Sequence, residues 1–229
     1  MKIFIPMAGK GTRLRPFTLT CPKPLINVLD KPIVEHLIDQ ITSKVKSNID
    51  EIVYILGDES YFNAEVVNSL NIISEKYNAK TKIYRQLEQL GTGHAIMCAE
   101  ESLSGPSIIA YADTMIHGNI EIDRQVDGIM WVKKVDNPSA YGVVNLDNEN
   151  KITELIEKPA EFISDLAVVG IYYFKEAANL RGYLRKHLSE KLSPGKEYLL
   201  NYGIEKMIKN GDSFVPKEID IWMDCGTPE

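Results

Sequence analysis

Residues 7–25 read "MAGKGTRLRPFTLTCPKPL" and follow directly on the apolar run Ile3-Phe4-Ile5-Pro6. A short unbroken apolar run reads as a strand buried on both faces, as in a parallel sheet. Gly9 and Gly11 then let the backbone come close to a ligand at the carboxyl end of that strand, where open α/β sheets collect their ligands. Successive N–H groups in such a turn converge on phosphate oxygens. Arg13 adds a fork that grips two phosphate oxygens at once. Lys23 stands between Pro22 and Pro24, which bias the backbone toward an extended form and aim the ammonium. Singly, the glycine pair fits a tight structural turn and each cation a solvated charge; together they point to an anionic ligand. A Walker-type loop does not fit, because Lys10 lies between close glycines. A dinucleotide fingerprint would need glycine where Leu14 stands, which sets aside a Rossmann-type oxidoreductase.

Beyond this stretch, strand-like and helical patterns alternate. Residues 33–45 carry Ile33, Leu37, Ile41 and Val45 four apart behind Pro32, a helical face. Residues 52–56 form an apolar strand, 61–77 a helix, 82–84 a brief strand, 93–101 a helix and 107–112 another apolar strand. That order predicts a parallel sheet covered by helices on both faces. After residue 118 the strands come at short spacing, over 129–135, 141–146, 151–156 and 167–174, as expected for antiparallel or mixed additions. Helices over about 176–190 and 197–209 precede a closing segment, 214–226.

With 229 residues and 44% hydrophobic content, the chain suits one well-buried α/β domain. The net charge of −6 leaves no basic surplus for counterion release, so nucleic acid is not an expected partner. Cys21, Cys98 and Cys225 are far apart, which supports neither a disulfide framework nor a zinc site and favours a reducing interior. Without an apolar leader or a run of membrane-spanning length, the expected setting is cytoplasmic, away from a membrane.

The segment "GKGTRLRPFTLTCPKPL" resembles the signature of the sugar-phosphate nucleotidyltransferases, G-x-G-T-R-L-x-P-x-T-x-x-x-P-K-P-L. Members of that family include glucose-1-phosphate thymidylyltransferases and N-acetylglucosamine-1-phosphate uridylyltransferases. The resemblance covers nearly the whole chain. It implies a Rossmann-like α/β fold, with a mixed, mostly parallel central sheet and helices on both faces. It also implies one catalytic domain over 1–229, with a nucleotide-binding half (about 1–118) and an acceptor-binding half (about 119–229).

The residue roles that follow are those the resemblance implies. Ala8, Gly9, Gly11, Thr12 and Arg13 would bind the triphosphate. Gln86, Gly91 and Thr92, in "QLEQLGTGHA", would face the nucleobase, with His94 structural. Asp113, closing "SIIAYADTM", and Asp224, in "IWMDCG", would hold Mg²⁺. Taken alone, each aspartate reads equally as a turn former or loop carboxylate. Tyr141, Gly142, Glu157, Lys158, Gly170 and Glu197 would receive the acceptor, with Lys158 on its phosphate and Glu157 on its hydroxyls. Arg13, Lys23, Asp113, Lys158 and Asp224 are the catalytic set.

The expected reaction joins a pyrimidine nucleoside triphosphate, UTP or dTTP, to a hexose 1-phosphate with loss of pyrophosphate. A homo-oligomer is compatible with the chain. One departure stands out: relatives commonly read G-E-[LY]-x-[IL]-T-D where this chain has "GKEYLLNY", so Asn201 and Tyr202 replace threonine and aspartate. That leaves open a cytidylyltransferase using CTP and a non-sugar phosphomonoester, such as phosphocholine or a phosphorylated amino acid. A catalytically inactive nucleotide-binding subunit is the remaining reading, and retention of the whole catalytic set argues against it.

Overall fold

The computed structural model describes residues 1–226. Its first half runs β1 (Lys2–Pro6), β2 (Asn27–Val28), β3 (Lys31–Pro32), α1 (Ile33–Lys44), β4 (Glu51–Leu56), α2 (Ala64–Glu75), β5 (Lys80–Arg85), α3 (Thr92–Cys98) and β6 (Ser107–Ala110). The chain continues through β7 (Thr114–His117), β8 (Gly128–Lys134), β9 (Gly142–Leu146), β10 (Ile152–Glu157) and β11 (Leu166–Phe174). It closes with α4 (Ala177–Leu188), α5 (Leu200–Lys209), β12 (Phe214–Glu218) and β13 (Ile221–Asp224).

Strand side chains alternate between the faces of a sheet, and here both faces are covered. Ile3, Ile5, Ile52, Tyr54 and Leu56 enter one apolar layer with the buried faces of α1 and α2. Phe4, Val53 and Ile55 enter the opposite layer, built with α3, α4 and α5. The apolar runs are continuous in sequence because neither face meets water.

The main sheet has the order β10-β9-β11-β6-β1-β4-β5, with β8 pairing both β11 and β12. β1, β4, β5 and β6 run parallel, joined by helical crossovers. β11 enters antiparallel to β6, β8 and β9, and β10 antiparallel to β9, while β12 runs parallel to β8. Only β10 and β11 therefore oppose the common direction, so the sheet is mixed and mostly parallel, as the sequence implied. A separate ribbon pairs β13 with β7 beyond the end of β6.

Several expected boundaries move, each for a visible reason. α2 starts at Ala64 because the Asn63 side chain caps it, accepting from the N–H groups of Glu65 and Val66 at 3.1 Å each. α5 starts at Leu200 because Tyr198 bonds elsewhere. Its N–H donates to the Leu90 carbonyl at 2.8 Å, and its carbonyl accepts from Gly93 at 2.7 Å. Lys23 is not extended: Lys23–Leu25 forms a 3₁₀ turn closed by Leu25 N–H to the Pro22 carbonyl at 2.8 Å. Among the described residues no helix is long and apolar enough to cross a membrane.

Candidate functional site

The glycine turn leaves the carboxyl end of β1, beside the ends of β4 and β6. Gly11 has φ +59°, and a Cβ there would come 2.9 Å from Thr18 Cγ2 and 3.0 Å from Lys23 Cβ. Only glycine meets both demands at once. The Thr18 hydroxyl donates to the Gly11 carbonyl at 2.8 Å, and the Tyr61 hydroxyl to the Thr18 carbonyl at 2.7 Å. The Gln89 amide donates to the Ala8 carbonyl at 3.0 Å. The loop is thus pinned from beneath by Leu14, Thr18 and Ala8, all buried, while Gly9, Thr12 and Arg13 stay exposed.

Lys23 Nζ lies 2.8 Å from Asp113 Oδ2, the lysine side chain being 12% exposed and the aspartate 44%. Asp113 follows β6, and the β7–β13 ribbon sets Asp224 opposite Thr114. The Cys225 N–H donates to the Asp113 carbonyl at 2.8 Å. Asp224 Oδ1 accepts from the Gly226 N–H at 2.7 Å. Burial pushes the Cys225 thiol pKa up against the pull of the nearby Lys23 ammonium. Among the described residues no group of three acidic, histidine or cysteine side chains forms a metal cage. Two hard carboxylates suit Mg²⁺, which takes one or two protein carboxylates and fills its octahedron with water and substrate phosphate.

The loop after β5 closes on itself. Gln86 is buried, and its amide nitrogen bonds the Gly91 carbonyl at 3.0 Å and His94 Nδ1 at 3.0 Å. Nδ1 then accepts, which requires a neutral imidazole, and burial lowers the His94 pKa in the same sense. Thr92 opens α3 and accepts from the Leu200 N–H at 3.0 Å. Glu197 is exposed and lies against Gly91.

A third cluster gathers at β9, β10 and β11. Gly142 faces Glu157 across the ladder, and the Lys158 N–H donates to the Tyr141 carbonyl at 3.0 Å. Lys158 is exposed, with φ +45°. Gly170 has φ +85°, and a Cβ there would sit 2.6 Å from Tyr111 Cδ2. Glu157 Oε2 accepts from Asn201 Nδ2 at 2.7 Å, and the Tyr172 hydroxyl donates to Asn201 Oδ1 at 3.1 Å. Tyr141 meets Trp222 edge-on at 4.8 Å between centroids. Trp222 shares β13 with Asp224, so this contact ties the third cluster to the carboxylate pair. The buried Trp222 Nε1 has no hydrogen-bond acceptor among the described residues.

Sequence reading passed over Gln89, Tyr111, Tyr172 and the contacts of Asn201. Gln89 lay inside the quoted "QLEQLGTGHA"; the two tyrosines sat in apolar strands and looked like core. A groove of about 650 Å³ lined by Met1, Lys46, Arg124 and Lys175 opens at the amino ends of the strands, away from all three clusters.

The family model for nucleotidyl transferases matches residues 4–229. The chain belongs to the nucleotidyl transferase family. This nucleotidyl transferase is 33% identical over 232 residues to the bifunctional protein GlmU of Methanococcus maripaludis, covering 100% of this chain and 52% of that protein. The chain thus spans about half the length of the GlmU relatives it matches. It is 30% identical to the UTP–glucose-1-phosphate uridylyltransferase AglF of Haloferax volcanii, covering 100% of this chain and 93% of AglF. A solved nucleoside-diphosphate-sugar pyrophosphorylase from Vibrio cholerae shares the fold, with a TM-score of 0.83 at 19% identity over 99% of this chain and 96% of that one.

Proposed function

We propose that this chain transfers a nucleoside monophosphate from UTP or dTTP to a hexose 1-phosphate, releasing pyrophosphate. The observation that carries the reading is the meeting of Lys23, Asp113 and Asp224 beside the Gly11 turn, at the carboxyl ends of β1 and β6. AglF, with which the chain aligns over almost its full length, is by name a UTP–glucose-1-phosphate uridylyltransferase.

In the reaction, an oxygen of the acceptor phosphate attacks the α-phosphorus and forms the new P–O bond. The bond from that phosphorus to the β-phosphate bridge breaks, and its electron pair leaves with pyrophosphate. No general base is required, because a phosphomonoester with a second pKa of about 6 is mostly dianionic at neutral pH. The barrier is the approach of two polyanions, so positioning and charge stabilisation do the catalysis. Arg13 and the backbone of Gly9–Thr12 bind the departing pyrophosphate portion. Lys23 offsets charge on the α-phosphate, and Lys158 on the incoming phosphate. Asp113 and Asp224 would hold Mg²⁺, which would supply positive charge against the phosphates. Glu157 accepts hydroxyls of the sugar, while Gln86, Gly91 and Thr92 shape the nucleobase pocket.

The test is pyrophosphate release with Mg²⁺, crossing five nucleoside triphosphates against hexose 1-phosphates, phosphocholine and phosphorylated amino acids. Turnover with UTP or dTTP and a hexose 1-phosphate is the expected result. Activity restricted to CTP and a non-sugar phosphate overturns the substrate assignment and leaves the mechanism standing.

A further inference from the structure

Asn201, in the first turn of α5, joins two otherwise separate clusters. A carboxylate only accepts hydrogen bonds, so the 2.7 Å contact to Glu157 Oε2 fixes the amide nitrogen of Asn201 on that side. Asn201 Oδ1 therefore faces the Tyr172 hydroxyl at 3.1 Å, and that hydroxyl must donate. Tyr172 is 2% exposed, so its oxygen cannot turn to water. Its remaining capacity is as an acceptor, beside Tyr111, whose ring meets it edge-on at 5.9 Å. Thr92 Oγ1, at the start of α3, accepts from the Leu200 N–H at 3.0 Å and so holds the residue before Asn201. The donor roles are then settled in one direction, Tyr172 to Asn201 and Asn201 to Glu157.

We infer that Asn201 and Tyr172 are positioning residues that hold the Glu157 carboxylate toward the acceptor, through two one-way hydrogen bonds that run from β11 by way of α5. The inference rests on the proposed sugar-phosphate transfer and narrows its acceptor. Glu157 Oε1 and the second N–H of Asn201 remain as an acceptor and a donor side by side. Adjacent hydroxyls of a sugar ring match that pair, since each can donate and accept. A quaternary ammonium head has no proton to give and no lone pair to offer.

The experiment is a double-mutant cycle with Asn201→Ala, Tyr172→Phe and the double variant. It has two readouts: steady-state kinetics, and thermal unfolding without substrate. Losing a hydrogen bond to a charged group should raise the acceptor KM about tenfold in each single variant. The double variant should be no worse than either single one, with kcat and the nucleotide KM changed less than about twofold. Tm losses should likewise be non-additive. Additive Tm losses, or an unchanged acceptor KM, overturn the inference. If the wild type turns over no hexose 1-phosphate, the proposed function fails, and the unfolding cycle still decides whether the chain of hydrogen bonds exists.

Discussion

The main-chain N–H of Cys225 donates to the carbonyl of Asp113 at 2.8 Å, and this bond joins the end of β13 to the segment that follows β6. It places Asp224 one ladder position from Asp113, with Lys23 already paired to the latter. Two carboxylates and one ammonium thus stand at the mouth of the Gly11 turn.

Asp113→Asn should keep the fold, because the β7–β13 ribbon is held by backbone bonds. It should lower the rate by about 10²–10³, the cost of removing a single preorganised charge-stabilising group. Asp224→Asn should behave alike, its backbone pairing intact. Pyrophosphate release measured beside a thermal scan checks both, and full activity in either variant would remove that residue from the catalytic set.

Two glycines separate packing from acceptor binding. A Cβ on Gly128 would lie 2.0 Å from Phe214 Cε1, whose ring sits in the apolar layer built with α3, α4 and α5. Gly128→Ala should cost about 1–3 kcal/mol through overpacking, leaving the acceptor KM unchanged. Gly170→Ala instead pushes on Tyr111 at a φ that L-residues rarely adopt, so both Tm and acceptor affinity should fall. Paired Tm and KM measurements distinguish the two.

An acid-sensitive strap holds the segment ahead of α5. Hydrogen bonds from His187 and then Tyr202 hold the Glu190 carboxyl below its ordinary value of 4.5. His187 stacks on Tyr202 at 3.7 Å, and the Tyr198 hydroxyl donates to the Glu190 carbonyl at 2.9 Å. A depressed folded-state pKa contributes stability that is present above the unfolded value and lost as pH falls through the folded one. The Tm of the wild type should therefore drop below about pH 4.5 more steeply than that of Glu190→Gln. Parallel acid limbs in a scan from about pH 6 to about pH 3 would remove the strap from the account.

Fold and site differed in how far the sequence disclosed them. β1, β4, β6 and β11 were readable because strands buried on both faces are apolar throughout, and α1 because its apolar positions recur on one face. β13 was not readable: its partner β7 lies far away in sequence, and half-exposed residues such as Ile221 and Met223 carry no alternation. Lys23 was read as extended since flanking prolines bias the local backbone, yet two backbone hydrogen bonds turned it into a 3₁₀ segment. Tyr111 and Tyr172 looked like core because burial and chemistry coincide in them: the rings meet edge-on while the Tyr172 hydroxyl bonds Asn201. Asn201 was visible only as a departure, because the partner that explains it, Glu157, is brought near by the β9–β10 ladder.

Lys158 offers the sharpest separation of stability from activity. It holds φ +45°, a left-handed conformation, although it is not glycine, and its N–H is fixed to the Tyr141 carbonyl at 3.0 Å. A non-glycine residue in that region costs about 1 kcal/mol or more, and such strain gathers at functional sites. Lys158→Gly should relieve it and raise the Tm, while removing the charge proposed to meet the acceptor phosphate. Lys158→Ala should lose the same activity without the gain in Tm, since alanine keeps the Cβ. Activity in both variants should fall by about 10²–10³ if the ammonium stabilises the incoming phosphate. Loss of activity together with a higher Tm in the glycine variant alone would show that the backbone is held in strain for the sake of the side chain. Equal Tm values in the two variants would mean that the turn carries no strain to release.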